Sequence, residues 1–312
     1  MNAAGKLSAY GAVLALVAGG GWAVGTAVGP LSAAPASSSH DGMPGGEPTG
    51  HGDAHSGTVA ETDLPGGLAS SRGGYTLAPT GTTRQAGTTE PFSFRVLGPD
   101  GRAVTNFDVE HDKQMHLVLV RRDTAGFQHL HPQMAADGTW TTPLDLPEAG
   151  SYRVFADFTP TGGAATTLGT DISAGGYFEP RSFAPSRVSE VDGYQVRLDG
   201  ELVAGQSSPL QLTVSKDGRP VTDLQPYLSA YGHLVALRGG DLAYLHVHPD
   251  GAPGDGRTAP GPRIDFVAEV PTAGTYRLFL DFQHDGVVRT AEFAVDTSSA
   301  APAVDQRGHT GH

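Results

Sequence analysis

The chain has 312 residues, enough for two ordinary domains and tails, with 44 glycines and 23 prolines against 17% charged residues, a mix that favours strands and turns over helical bundles. Its formal net charge of −13 comes without a basic stripe, which excludes a nucleic-acid binder. It has no cysteine, which excludes disulfide staples, thiolate zinc sites and blue-copper electron transfer, all of which need a Cys sulfur.

The first element is apolar. Lys6 precedes an uncharged stretch from Leu7 to Leu31, followed by Ala34-Pro35-Ala36. A positive start, an apolar run and a small-residue site fit a secretory signal peptide, and the run is also long enough to span a bilayer as an uncleaved anchor. Residues 1–36 are therefore expected to be a signal peptide or membrane anchor, with all that follows exported. Residues 37–72 are Ser, Gly, Pro and His with few bulky apolar groups, too little to offset chain entropy, so a disordered His/Gly/Pro-rich tether is expected there and a similar His-containing tail over 298–312.

Between these lies an internal repeat. The first copy reads GYTLAPTG at Gly74, PDGRAVTNF at Pro99, MHLVLVRRD at Met115, FQHLHP at Phe127 and PEAGSYRVFADF at Pro147. The second reads GYQVRLDG at Gly193, KDGRPVTDL at Lys216, GHLVALRGGD at Gly232, YLHVHP at Tyr244 and PTAGTYRLFLDF at Pro271, with a Gly/Pro-rich insertion after its HxHP segment. Short alternating runs between Gly, Pro and Asp turns predict strands, among them PFSFRVLG, TWTTPLDL, IDFVAEV and VRTAEFAV. Tyr152 and Tyr276, each after a Pro-x-Ala-Gly turn, match the tyrosine corner of Greek-key sandwiches. The expected fold is all-β: two tandem immunoglobulin-like β-sandwich domains, over 73–177 and 191–297, joined by a linker over 178–190.

Six of the 13 histidines occupy equivalent places: His116, His129 and His131 in the first copy, His233, His246 and His248 in the second, with the spacing H-x12-H-x-H in both. A strand projects residues i and i+2 to one face, so each H-x-H pair points the same way, and a neighbouring strand can bring the third imidazole. Three neutral imidazoles form a usable shell for Zn²⁺ or Cu²⁺. Asp157 and Asp281, also repeated, are expected either to complete a His3Asp shell or to orient a ligating His from behind. The competing reading is a half-buried strand whose histidines bond to backbone. His40, Met43, His51 and His55 in the tether and His309 and His312 in the tail read equally as loose capture sites for such ions or as low-complexity segments that happen to carry histidine. His111 and His284 have no counterpart in the other copy and are expected at the surface. Met115 and Met134 are unmatched too, so no Met-based Cu(I) site is expected.

With its export signal, small Ig-like modules and H-x12-H-x-HP segments at His116–Pro132 and His233–Pro249, the chain resembles bacterial exported β-sandwich proteins, including YtkA/FixH-like domains and periplasmic copper chaperones. The resemblance covers residues 73–297 at the level of architecture. Copper chaperones of that kind mix His with Met ligands; the absence of a matched Met here leaves Cu²⁺ and Zn²⁺ equally open.

No P-loop, G-x-S-x-G elbow, H-E-x-x-H or dinucleotide fingerprint occurs, so the chain is expected to bind rather than catalyse. The expected function is an exported, membrane-associated metal-binding protein for copper or zinc, acting in extracytoplasmic sequestration or in delivery to an exported or membrane partner. The alternative is a structural or adhesive Ig-like cell-surface protein with no metal requirement.

Overall fold

Alternation of apolar and polar residues sets most of the strands. The structure, a computed structural model, describes residues 65–298, and no helix forms among them. The first module comprises β1 (Ser71–Arg72), β2 (Tyr75–Pro79), β3 (Thr83–Gln85), β4 (Thr88–Leu97), β5 (His116–Arg121), β6 (Gln128–Leu130), β7 (Gln133–Met134), β8 (Trp140–Leu146), β9 (Gly150–Phe158) and β10 (Thr166–Gly175). The second comprises β11 (Val188–Val191), β12 (Tyr194–Asp199), β13 (Ser207–Lys216), β14 (Arg219–Pro220), β15 (His233–Arg238), β16 (Tyr244–Pro249), β17 (Arg263–Glu269), β18 (Thr275–His284) and β19 (Val287–Asp296). The all-β, duplicated Ig-like architecture expected from the repeat is the one observed.

In the first module one sheet runs β1-β2-β4-β8-β7 and the other β3-β10-β9-β5-β6. In the second, β16 pairs with β15 over Tyr244–Val247 and with β17 at His248 and Pro249. A single path, β11-β12-β13-β17-β16-β15-β18-β19, therefore runs through both faces of that sandwich. Each sandwich has its own core, built around Phe94, Leu117, Trp140 and Val154 in the first module and Leu212, Phe266, Leu278 and Phe293 in the second. Both corner tyrosines bond back four residues, Tyr152 Oη donating to the Glu148 carbonyl at 2.8 Å and Tyr276 Oη to that of Thr272 at 2.9 Å.

Where one face of an antiparallel strand is wet, burial alternates, as it does along β8 and β17. It does not alternate along β5, which is buried at every position, or through the centres of β9, β15 and β18. The inner residues of these strands enter their own cores. The outer ones meet the other module: Val118, Val120 and Phe155 pack with Val235, Leu237, Leu242, Tyr244 and Phe279, and the Phe127 and Phe279 rings stack at 4.0 Å and 5°. The duplicated sheets thus face each other across an apolar junction. Each such side chain taken from water stabilises by about 1.5–3 kcal/mol.

A short strap ties the junction from the N-terminal side. Gly67 N–H donates to the Thr167 carbonyl of the first module at 3.0 Å, and Tyr244 N–H of the second donates to Gly66 at 3.0 Å. Arg153 Nε adds a bond to the Gly67 carbonyl at 3.1 Å. Gly67 has φ 74°, and a Cβ there would overlap the Phe155 ring, so only glycine suits the place. Residues 65–72, expected as the end of the tether, are therefore fixed, and β11 opens inside the stretch expected as linker. The expected signal or anchor over 1–36, most of the tether and nearly all of the tail lie outside the described residues. Among the described residues no helix is long and apolar enough to cross a membrane.

Phe279→Ala is expected to destabilise the protein by about 3–5 kcal/mol, the range for removing a buried aromatic side chain. Guanidinium unfolding measures this directly, and a loss below about 1 kcal/mol would mean that the junction contributes little.

Candidate metal centre

The histidines lie at one end of the junction. His116 begins β5 with its Cα opposite that of Asp157 on β9, and His129 on β6 lies opposite Val118. His131 follows two residues later on the same side. Their ring centroids are 5.4 Å (His116–His129), 5.1 Å (His116–His131) and 4.8 Å (His129–His131) apart. One nitrogen from each lies within 4.8 Å of the others, and among the described residues this is the one group of metal-ligating type whose atoms meet so closely.

Hydrogen bonds fix which nitrogens are available. His116 Nε2 lies 3.1 Å from the Glu110 carbonyl, an acceptor only, so Nε2 carries the proton and Nδ1 the lone pair. His129 Nδ1 lies 2.8 Å from Asp281 Oδ2, so Nδ1 donates and Nε2 carries the lone pair. These two lone-pair nitrogens stand 3.2 Å apart. A proton on one of them, or a metal ion between or beside them, would bridge that distance. A tetrahedral ion with bonds of about 2.0–2.1 Å to His nitrogens spaces them by roughly 3.3 Å. His131 Nε2 is buried without a hydrogen-bond partner, an orphan that a bound ion would satisfy.

Burial also selects the ligand form. It lowers the His116 imidazole from 6.5 to about 4 and His131 to about 2, with neighbouring histidines pushing the same way. At neutral pH these rings are uncharged, as metal ligation requires.

Asp281 comes from the second module, yet it serves a histidine of the first. Oδ2 accepts from His129, and Oδ1 accepts from Thr290 Oγ1 at 2.6 Å. With both oxygens engaged and 5% of its side chain exposed, Asp281 orients His129 and stands behind the centre. Of the two roles expected for it, this is the orienting one, reached across the junction. Asp157 Oδ1 accepts from Thr167 Oγ1 at 2.8 Å, and Asp157 is not among the atoms that meet. Neither aspartate belongs to the group whose atoms meet within 4.8 Å.

Of the second expected triad, His233, His246 and His248, only the His233 side chain is described. His233 is buried and donates Nε2–H to the Leu228 carbonyl at 2.8 Å, but its ring stands 6.4 Å from His129 of the other half. Burial lowers its imidazole to about 4. The side chains of His246 and His248 lie outside the description; their backbone sits on β16 with His246 opposite Val235, the register of His129 opposite Val118. His111, expected at the surface, is half-buried with its ring 5.0 Å from His233 and 6.1 Å from His116. No repeat could reveal it, because the other copy has Leu228 there. His284 is buried elsewhere, between Tyr194 Oη at 2.7 Å and Asp223 Oδ1 at 3.0 Å. Met115 belongs to the core of the first module and Met134 packs against that core. The tether and tail ligands His40, Met43, His51, His55, His309 and His312 lie outside the described residues.

The family model described as Domain of unknown function (DUF8832) matches the chain twice, over residues 70–175 and 189–299. No curated protein matches it. Similar solved structures include an Escherichia coli adhesin, FdeC, at 14% identity and a TM-score of 0.25, covering 73% of this chain and 65% of that one. Invasin, a bacterial integrin-binding protein, is similar at 12% identity and 0.22, over 72% of this chain and 39% of that one. The D0-D1 region of intimin is similar at 15% and 0.20, over 71% and 97%. The chain thus spans about 65% of the FdeC chain. At these scores the likeness concerns the sandwich alone, and neither YtkA/FixH-like domains nor copper chaperones are among these findings.

Because the rings are neutral when folded and titrate near 6.5 when unfolded, the unfolded chain binds more protons between pH 6.5 and about 4. Stability of the metal-free protein therefore rises with pH across that window and is lost as pH falls through it. Thermal melts from pH 7 to 4 are expected to show a falling Tm that His131→Leu makes shallower; equal slopes in the two proteins would count against a buried neutral His131.

Proposed function

We propose, for a chain that belongs to the family described as Domain of unknown function (DUF8832) and carries its domain twice, the function of an exported, non-catalytic metal-binding protein. It holds Zn²⁺ or Cu²⁺ in a buried imidazole centre at the junction of its two modules. The single observation that supports this most is the 3.2 Å approach of His116 Nδ1 to His129 Nε2, with the opposite nitrogen of each ring donating to a fixed protein acceptor. The pair Asp281–His129 has the form of the carboxylate–histidine arrangement that orients metal ligands and raises their basicity. Imidazole nitrogens without thiolate or thioether suit Zn²⁺ and Cu²⁺ over Cu(I). Burial favours holding an ion over passing it on quickly, so sequestration outside the cytoplasm is the role, with an exported or membrane protein as partner where delivery occurs. The N-terminal apolar stretch supplies the export signal or the attachment to the membrane.

The test is the melting temperature of the full chain with and without Zn²⁺ or Cu²⁺. Binding to the folded state raises it. A rise of several degrees is expected for the wild type, and most of it is lost in His116→Ala/His129→Ala. Asp281→Asn is expected to weaken binding about ten- to a hundredfold. An unchanged melting temperature in the wild type would overturn the reading.

A second reading is a structural or adhesive surface protein with no metal requirement. It is supported by the apolar half of the junction, which docks the modules without an ion. It predicts equal melting temperatures with and without metal.

A further inference from the structure

The histidine that the repeat does not duplicate sits where the two halves of the junction meet. His111 lies in a turn with left-handed backbone, φ 46° at His111 and 63° at Asp112, closed by hydrogen bonds in both directions between Glu110 and Lys113. The second module builds the same turn at Leu228 and Ser229, φ 53° and 63°, closed between Tyr227 and Ala230. Positive φ is uncommon in residues with a Cβ and is held only where the surroundings impose it. The fold therefore dictates the turn, and leucine satisfies it; histidine in the first module needs another reason.

That reason is across the junction. The His111 ring stands 5.0 Å from His233 at 80°, inside the 4.8–5.4 Å range of the three rings of the first centre. His116 is farther, at 6.1 Å, and His233 is 6.4 Å from His129, so this pair lies beside that centre and not within it. His233 commits Nε2–H to Leu228 just as His116 commits Nε2–H to Glu110, which leaves Nδ1 as the lone-pair nitrogen in both. Asp157 and Asp281 stand opposite His116 and His233 in the register of the two modules.

The geometry points to a second divalent-ion site in the same chamber, bridged across the junction by His111 of the first module and His233 of the second, and taking Zn²⁺ or Cu²⁺. It rests on the reading of the His116–His129–His131 group as a metal centre. Unlike that centre, it draws its imidazoles from both modules.

The test uses the full chain with His40, His51, His55, His309 and His312 replaced by Asn, so that bound metal reports on the folded part. The chain is saturated with Zn²⁺, freed of excess by gel filtration and assayed for metal per protein. Two ions per chain are expected in this background and one in His111→Leu, which installs the residue that the second module carries in its own turn. Loaded with Cu²⁺, the background is expected to give the broadened electron paramagnetic resonance spectrum of two coupled ions, and His111→Leu that of an isolated ion. Should circular dichroism show His111→Leu unfolded, His111→Asn, which tolerates left-handed backbone, replaces it with the same expectation. Two ions in the variant, or one in the background, would overturn the second site; no ion in the background would overturn the first centre itself.

Discussion

The molecule depends on the burial of a second sheet face. An isolated sandwich of this kind leaves the outer side of each sheet to water, and here β5 and β9 turn that side onto β15 and β18. The central strands must then be apolar on both sides, which explains why HLVLVR and HLVALR run without alternation. The same contact brings together the polar residues at the strand ends. Histidines that begin equivalent strands in two copies become neighbours because the copies meet face to face.

The chamber so formed is an expensive arrangement for imidazole. Three of the rings, His116, His233 and His129, each commit a nitrogen to an acceptor that cannot give a proton: the Glu110 carbonyl, the Leu228 carbonyl and the Asp281 carboxylate. The remaining nitrogens turn towards one another, one of them without any partner. Water is largely excluded and protonation is disfavoured by burial. Unsatisfied acceptors in a dry site cost more than they return unless a ligand completes them, so the site concentrates its strain where an ion would relieve it.

Much of the architecture was legible before any coordinate. The matching segments revealed duplication, the turns bounded the strands, and the Pro-x-Ala-Gly-x-Tyr segments marked Tyr152 and Tyr276, whose bonds are those of the corner. β10 escaped because TTLGTDISAG is rich in Thr and Gly and lacks a bulky run. The histidine triad of the first module was legible from spacing, since i and i+2 on β6 with a partner on β5 leave few other outcomes. What the repeat did not carry is the link between the copies. Asp281 reaches His129 across 152 positions of sequence, and His111 has no repeated counterpart, so neither follows from a pattern within one copy. The signal for the junction was nevertheless present in the unalternating strands, which announce a covered face without saying what covers it.

The strap at Gly66 and Gly67 gives the molecule a point of attachment with mechanical meaning. The first described residues lie at the seam, bonded to Thr167 on one side and Tyr244 on the other, and not at the far end of a sandwich. A pull arriving through the preceding residues would load both modules together at that seam, in the manner of a rope tied through two planks, and the first bonds to feel it would be those nearest the line where the planks join.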